Sequence, residues 1–281
     1  MRRPDESKVT VLTLKELKDK GIKITAVTAY DFPSAQIASE AGIDLILVGD
    51  SLGMVFQGHA NTLPVTIDDT VYHTAHVARA NPRCLVVSDL PFGSYHISPE
   101  RTVENAVRCV KEGGAAAVKL EGGSKRLPAI EAILNAEVPA MGHLGLTPQS
   151  IHSLGGFKVQ GKLRETAREI FTDALALEKA GVFAMVLESI PQELGRKISE
   201  AVKVPTIGIG AGKYCDGQIL VLPDLVGLTH LAMPKFVRQY ADTYGTWLAS
   251  LRRYSQDVRS GDFPADSECY HWQRDIDEVL K

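Results

Sequence analysis

EAGIDLILVGDS (residues 40–51), KEGGAAAVKLEG (111–122) and EKAGVFAMVLES (178–189) are three versions of one joint. Each runs from a charged helix end through glycine into an apolar strand, and each reaches a carboxylate at the far side. Glycine ends helices because it enters the left-handed conformation at little steric cost. The strand after it is apolar on both faces, the pattern of a parallel strand covered by helices. Outward from these joints the same kind of run recurs as ITAVTAY (24–30), CLVVSDL (84–90), PAMGHLG (139–145), PTIGIGAG (205–212) and a weaker QILVLPD (218–224). Helix-like stretches such as 102–113 and 163–181 lie between them. Repeated β-α order specifies an α/β architecture. Eight strands in 281 residues predict a (β/α)8 TIM barrel, with an open doubly wound sheet as the alternative.

Two connections exceed a minimal unit: 51–66, ahead of a helix near 67–80, and 146–162, ahead of the helix that starts near Leu163. Long segments after the carboxyl ends of barrel strands form active sites or their lids. A short helix, TLKELKDKG (13–21), stands outside the repeat. The region from about Met233 onward reads as helical and polar, and 265–281 as a C-terminal extension in which Tyr270 and Trp272 are expected to be packing residues. No Gly/Ser or Pro-rich linker divides the chain, so residues 1–281 are read as one domain.

Composition excludes several classes of function. The chain is 44% hydrophobic and 23% charged, ordinary for a soluble globular protein. Its 31 basic and 34 acidic residues give a net charge of −3, which argues against nucleic-acid and polybasic membrane partners. No apolar run approaches the ~18 residues of a membrane helix. Cys84, Cys109, Cys215 and Cys269 are widely spaced and suggest neither a disulfide framework nor a zinc finger. A cytoplasmic protein is expected.

Asp50, Asp89, Glu121 and Glu188 all fall at the ends of apolar strands. Each could simply cap the turn or helix after it. Four of them on one rim of a barrel point instead to an active site. Carboxylates without a His/Cys cluster suit Mg²⁺, which takes oxygen ligands, and Asp50, Asp89 and Glu121 are the candidates. Lys119 shares a strand face with Glu121; it either binds a substrate carboxylate or forms a structural ion pair with Glu121. Glu188 stands apart and suits a general base. His143 is either a substrate hydrogen-bond donor or a satisfied core histidine. Near-motifs fail: residues 156–162 resemble a phosphate loop, but Leu163 stands where Ser or Thr is needed, and IGIGAG lacks the final glycine at Lys213. His73 and His76 share a helical face with nothing nearby to complete a zinc site.

Eight motifs occur in order: VGDSLGM (48–54), HANTLPVT (59–66), SDLPF (88–92), VKLEGG (118–123), GHLGLTPQ (142–149), GGFKVQG (155–161), LES-P (187–191) and IGIGAG-x-x-CDGQILV (207–221). On these, from about Thr13 to Pro264, the chain resembles the ketopantoate hydroxymethyltransferase family of the phosphoenolpyruvate/pyruvate barrel superfamily. The resemblance implies transfer of a one-carbon unit from 5,10-methylenetetrahydrofolate to 3-methyl-2-oxobutanoate, giving 2-dehydropantoate and tetrahydrofolate through a Mg-stabilised enolate. It implies one Mg²⁺ per subunit at Asp50, Asp89 and Glu121. It also implies keto-acid contacts from Asp50, Ser51, Asp89 and Lys119, a proton acceptor at Glu188, and a homo-oligomer, often a decamer. Folate-binding residues are not assigned by it. The competing readings are a carbon–carbon lyase or mutase of the same superfamily, whose K-K-C-G-H motif this chain lacks, and a non-catalytic barrel subunit.

Overall fold

In a computed structural model, the described residues are 7–229, 233–273 and 276–280. The eight expected strands are present: β1 (Ile24–Thr28), β2 (Leu45–Val48), β3 (Leu85–Asp89), β4 (Ala117–Lys119), β5 (Ala140–Gly145), β6 (Ala184–Glu188), β7 (Thr206–Ile209) and β8 (Gly217–Leu220). They pair in sequence order, all parallel, and β8 closes on β1 through the register Ile24↔Gly217 to Val27↔Leu220. This is the α/β TIM barrel; the open sheet is excluded by that closure. Gly42, Gly114 and Gly181, the glycines of the three repeated joints, all have positive φ.

Alternation along each strand sorts its side chains into two sets. Ile46, Val48 and Val86 point outward against Ala35, Ala38 and Val77 of the covering helices. Val118, Ala140, Leu144, Met185 and Leu187 do the same against Ile130, Ile133, Leu177 and Ile198. The other set, Ile24, Ala26, Leu45, Leu47, Leu85, Val87, Met141, Ala184, Val186, Ile207 and Ile219, fills the barrel interior. The helix Val11–Asp19 contributes Leu14 and Leu17 to that interior cluster and so plugs the amino end. Its first turn is fixed by a capping box in which Thr10 and Thr13 each satisfy the other's backbone N–H.

Three expectations change in detail. The eighth run breaks at Val221, because Pro223 cannot donate to a ladder but fits the first turn of the short helix Leu222–Leu225. Residues 234–242 are not helical; the helix is Thr243–Ser260, started by Asp242, whose side chain accepts from the Gly245 N–H at 2.8 Å. Tyr270 and Trp272 are not packing residues: both are exposed, since nothing in the described chain lies over that stretch.

Candidate active site

The interior file that is apolar at the amino ends of the strands turns polar at their carboxyl ends. Thr28, Asp89, Lys119, His143 and Glu188 occupy successive inward positions, with Asp50, Ser51 and Glu121 just beyond β2 and β4. Together they line a cavity of about 560 Å³. Its outer walls are largely apolar, from Met54 and Val55 after β2, Phe157 and Val159 of the 146–162 connection, and Phe236 and Val237 after β8, with Lys158 and Lys235 among them. All the sequence-predicted site residues are therefore brought together.

Register explains the closest pair. Asp89 lies directly opposite Lys119 in the β3–β4 ladder, and Nζ stands 2.8 Å from Asp89 Oδ1 with both side chains buried. Lys119 thus pairs with Asp89, and not with Glu121, the partner that spacing along one strand suggests. Burial alone would draw the Lys119 ammonium down, but the surrounding Asp89, Glu121 and Asp50 charges hold it above the usual lysine range. Burial pushes the Asp50 carboxyl up, and the charges of Asp89 and Glu121 push it further. Asp89 is likewise raised by burial, with Lys119 opposing and Glu121 adding to the rise. Glu121 is the exception: burial acts to raise it, but His143, Lys119 and the Gln149 backbone N–H bring it below the ordinary value.

His143 bridges the two sides of the site. Its Nδ1 is 3.5 Å from Glu121 Oε1 and 3.4 Å from Lys119 Nζ, while Nε2 is 3.2 Å from Glu188 Oε2. Burial and Lys119 work against its charged form, yet Glu121 and Glu188 bring it up to about 9. Although Nε2 is near Glu188, it has no aligned hydrogen-bond partner among the described residues. His143 thus lies within reach of Glu121, Lys119 and Glu188 while lining the cavity. Gly145 stands opposite Glu188 in the β5–β6 register with φ +93°, and a Cβ there would lie inside van der Waals distance of the Glu188 carbonyl oxygen. Ser189, immediately after Glu188, is itself in the left-handed region at φ 48°, a strained conformation for a residue with a side chain. Its N–H donates to the Ile209 carbonyl at 2.8 Å, and its carbonyl accepts from Gln160 at 2.9 Å.

Three buried polar residues of the site escape sequence reasoning. Gln149 belongs to the GHLGLTPQ motif, yet nothing in that motif assigns it a role. Its amide donates to Asp50 Oδ2 at 2.9 Å and to the Leu90 carbonyl at 3.0 Å, and its backbone N–H donates to Glu121 Oε2 at 3.0 Å. Tyr95 donates its hydroxyl to Gln149 Oε1 at 2.5 Å. Thr62, in the first long connection, lines the cavity with a buried hydroxyl that has no hydrogen-bond partner among the described residues. Ser51, expected at the site, shares a 2.8 Å hydrogen bond with the Tyr30 hydroxyl. His73, by contrast, bonds the Tyr30 carbonyl through Nδ1 at 2.7 Å, a structural role.

The donor set can be tested against a hard divalent cation. Among the described residues no group of three His, Cys, Asp or Glu side chains stands ready as a metal cage. Both oxygens of Glu121 already face the Gln149 N–H and His143. Asp50 and Asp89 are adjacent, the N–H of Asp50 lying 3.3 Å from Asp89 Oδ2. Asp89 Oδ1 faces the Lys119 ammonium at 2.8 Å. Counting Glu188, four carboxylates share this end of the barrel with two cationic groups, the Lys119 ammonium and the His143 imidazolium, so carboxylates outnumber cations. Mg²⁺ is commonly bound by one or two carboxylates plus water and substrate, and this pair fits that requirement.

A parallel barrel with a buried acidic cluster, a paired lysine and a separate glutamate on its carboxyl rim defines an α/β-barrel enzyme. Comparison with known proteins narrows the class. The profile described as ketopantoate hydroxymethyltransferase matches residues 8–266. The chain is 54% identical over 265 residues to a 3-methyl-2-oxobutanoate hydroxymethyltransferase of Thermoanaerobacter sp. (strain X514), covering 94% of this chain and 97% of that one. It is 55% identical over 258 residues to the protein of the same name from Moorella thermoacetica, covering 92% and 96%. The chain belongs to the ketopantoate hydroxymethyltransferase family and is a hydroxymethyltransferase. Among solved structures, 2,3-dimethylmalate lyase, a PEP mutase/isocitrate lyase superfamily member, superposes with a TM-score of 0.59 at 16% identity over 93% of this chain and 92% of that one. A phosphonopyruvate hydrolase complex with oxalate and Mg²⁺ gives 0.60 at 13% identity over 97% and 95%. At such identities these two establish the shared fold.

Proposed function

We propose that the enzyme transfers a hydroxymethyl group from 5,10-methylenetetrahydrofolate to 3-methyl-2-oxobutanoate, forming 2-dehydropantoate and tetrahydrofolate, with Mg²⁺ held by Asp50 and Asp89. The observation that carries this reading is that Glu188 lines the same cavity as Asp50, Asp89 and Lys119, with His143 standing between it and Lys119. Glu121, whose oxygens face the Gln149 N–H and His143, would act on the cation through water. Mg²⁺, when bound, would supply Lewis-acid polarisation of the keto acid.

The protein's own residues do the rest. Ser51, Asp50, Asp89 and Lys119 would contact the keto acid's carboxylate and keto oxygen, directly or through the cation. Glu188 would accept the proton from the carbon beside the carbonyl. Negative charge then grows on the keto oxygen, where the Lys119 ammonium is fixed in place before reaction and needs no reorganisation. His143, 3.2 Å from Glu188, would orient that carboxylate or donate to the substrate. A small keto acid fills only part of about 560 Å³, and the apolar wall of Phe157, Val159 and Phe236 suits the ring system of a second, larger co-substrate.

A homodecamer belongs to the same reading. The helix Thr243–Ser260 has no buried residue and exposes Trp247, Leu251, Tyr254 and Val258 along one face, an apolar stripe that a partner subunit would cover. Among the described residues no helix is long and apolar enough to cross a membrane; we place the enzyme in the cytoplasm. The test is incubation with keto acid, 5,10-methylenetetrahydrofolate and Mg²⁺, with mass detection of 2-dehydropantoate. Product that requires all three supports the reading; enolisation of the keto acid with no product in the presence of the folate would overturn the assigned one-carbon donor.

A further inference from the structure

We propose that Gln149 is a positioning residue for the divalent cation: held by Tyr95, its amide sets the Asp50 carboxylate for metal binding and ties the start of the 146–162 connection to the acidic cluster. The proposal rests on the reading of Asp50 as a metal ligand.

Gln149 lies in the turn Pro148–Ser150, just after β5, and is buried at 4% exposure. Its side chain uses every group it has. Oε1 accepts from Tyr95 Oη, and the two amide hydrogens go to Asp50 Oδ2 and the Leu90 carbonyl. The amide can face only one way, because a flip would set its oxygen against a carboxylate and a carbonyl. Tyr95 is fixed in turn: its ring lies 5.6 Å below the Arg126 guanidinium, and its hydroxyl lies 3.3 Å from the Glu121 N–H, which donates to it. The backbone N–H of Gln149 meets Glu121 Oε2, so one residue touches two of the three clustered carboxylates.

The choice of an amide matters. A lysine or arginine at this point would orient Asp50 equally well, but its charge would compete with the cation for the same carboxylate. Gln149 and Tyr95 donate hydrogen bonds and add no charge, leaving the negative excess for the metal. Such outer partners hold first ligands in position, and losing one weakens metal binding by ~10–100-fold.

The experiment titrates Mg²⁺ into metal-free protein by calorimetry for wild type, Asp50→Asn, Gln149→Met and Tyr95→Phe, each checked for folding by circular dichroism. Wild type is expected to bind and Asp50→Asn to lose binding. Gln149→Met raises Kd by ~10–100-fold, and Tyr95→Phe raises it by less. The double variant binds no more weakly than Gln149→Met alone, because both changes act through one amide. A merely structural Gln149 would lower the unfolding midpoint and leave the Kd of the folded protein unchanged; that result, with Asp50→Asn still losing binding, overturns this proposal and leaves the metal reading intact. If Gln149→Met does not fold, an unchanged Kd in Tyr95→Phe overturns it equally. Additive losses in the double variant contradict the relay from Tyr95. Wild type that does not bind Mg²⁺, or Asp50→Asn that binds as wild type does, overturns the metal reading and this proposal with it.

Discussion

The two ends of the barrel interior are built from the same strands and on the same alternating face, yet they hold opposite chemistry. At the amino end Ile24, Leu45, Leu85, Met141 and Ile207 pack with Leu14 and Leu17 of the plugging helix. One or two alternations further along, the same inward file presents Asp89, Lys119, His143 and Glu188. Both ends are buried, so solvent exposure does not distinguish them. One end gains free energy by leaving water; the other holds charges that would be better solvated and are kept in place by the rest of the fold. Perturbing each end in turn should therefore separate stability from function.

The largest stability effect is expected at the charged end. Lys119→Met removes the partner of a buried ion pair and leaves Asp89 without its counter-ion, so the metal-free protein should lose ~3–5 kcal/mol in denaturant unfolding. Leu85→Ala at the apolar end should cost a comparable or slightly smaller ~2–5 kcal/mol. The two differ in their effect on activity: folded Leu85→Ala should keep the wild-type Mg²⁺ affinity and turnover, whereas Lys119→Met should not turn over. Lost activity per folded molecule in Leu85→Ala would erase the distinction between the ends.

The smallest expected effect has the opposite sign. Asp50 has a raised carboxyl value in the fold, so the folded state keeps a proton that the unfolded chain releases near the ordinary carboxylate range. As pH rises from about 4 through that raised value, the unfolded state binds fewer protons than the folded one, and metal-free stability falls. Asp50→Asn removes this penalty and should unfold at a higher midpoint than metal-free wild type at pH 7–8. The difference should vanish near pH 4. Added Mg²⁺ should raise the midpoint of wild type and leave that of Asp50→Asn unmoved.

The contrast between the ends also explains how much is legible in the sequence. The apolar file and the glycine-ended helices are local and periodic, so all eight strands are visible there. Their ends are less so: the run at 115–122 shortens to the strand Ala117–Lys119, although Ala116, Leu120 and Gly122 still donate backbone hydrogen bonds to the neighbouring strands. Asp50, Asp89, Glu121 and Glu188 are visible because carboxylates closing apolar runs break a pattern. Gln149 and Tyr95 break none. Their partners are 99 and 54 positions away, and an amide or phenol in a loop carries no sign of burial until the barrel closes. Tyr270 and Trp272 show the converse limit, since aromatic character alone cannot say whether anything in the chain covers a residue.

The central claim is that the charged end removes a proton from a keto acid with Glu188 as base, a step in which the folate takes no part. Proton NMR of 3-methyl-2-oxobutanoate in D₂O, with enzyme and Mg²⁺ but no folate, follows exchange of the C3 proton directly. Wild type should exchange it, and Glu188→Gln, which keeps the shape but cannot accept the proton, should be slower by ~10²–10⁴-fold while still binding the keto acid. Exchange by Glu188→Gln at the wild-type rate would contradict the account and move the base to His143 or to a water on the opposite wall.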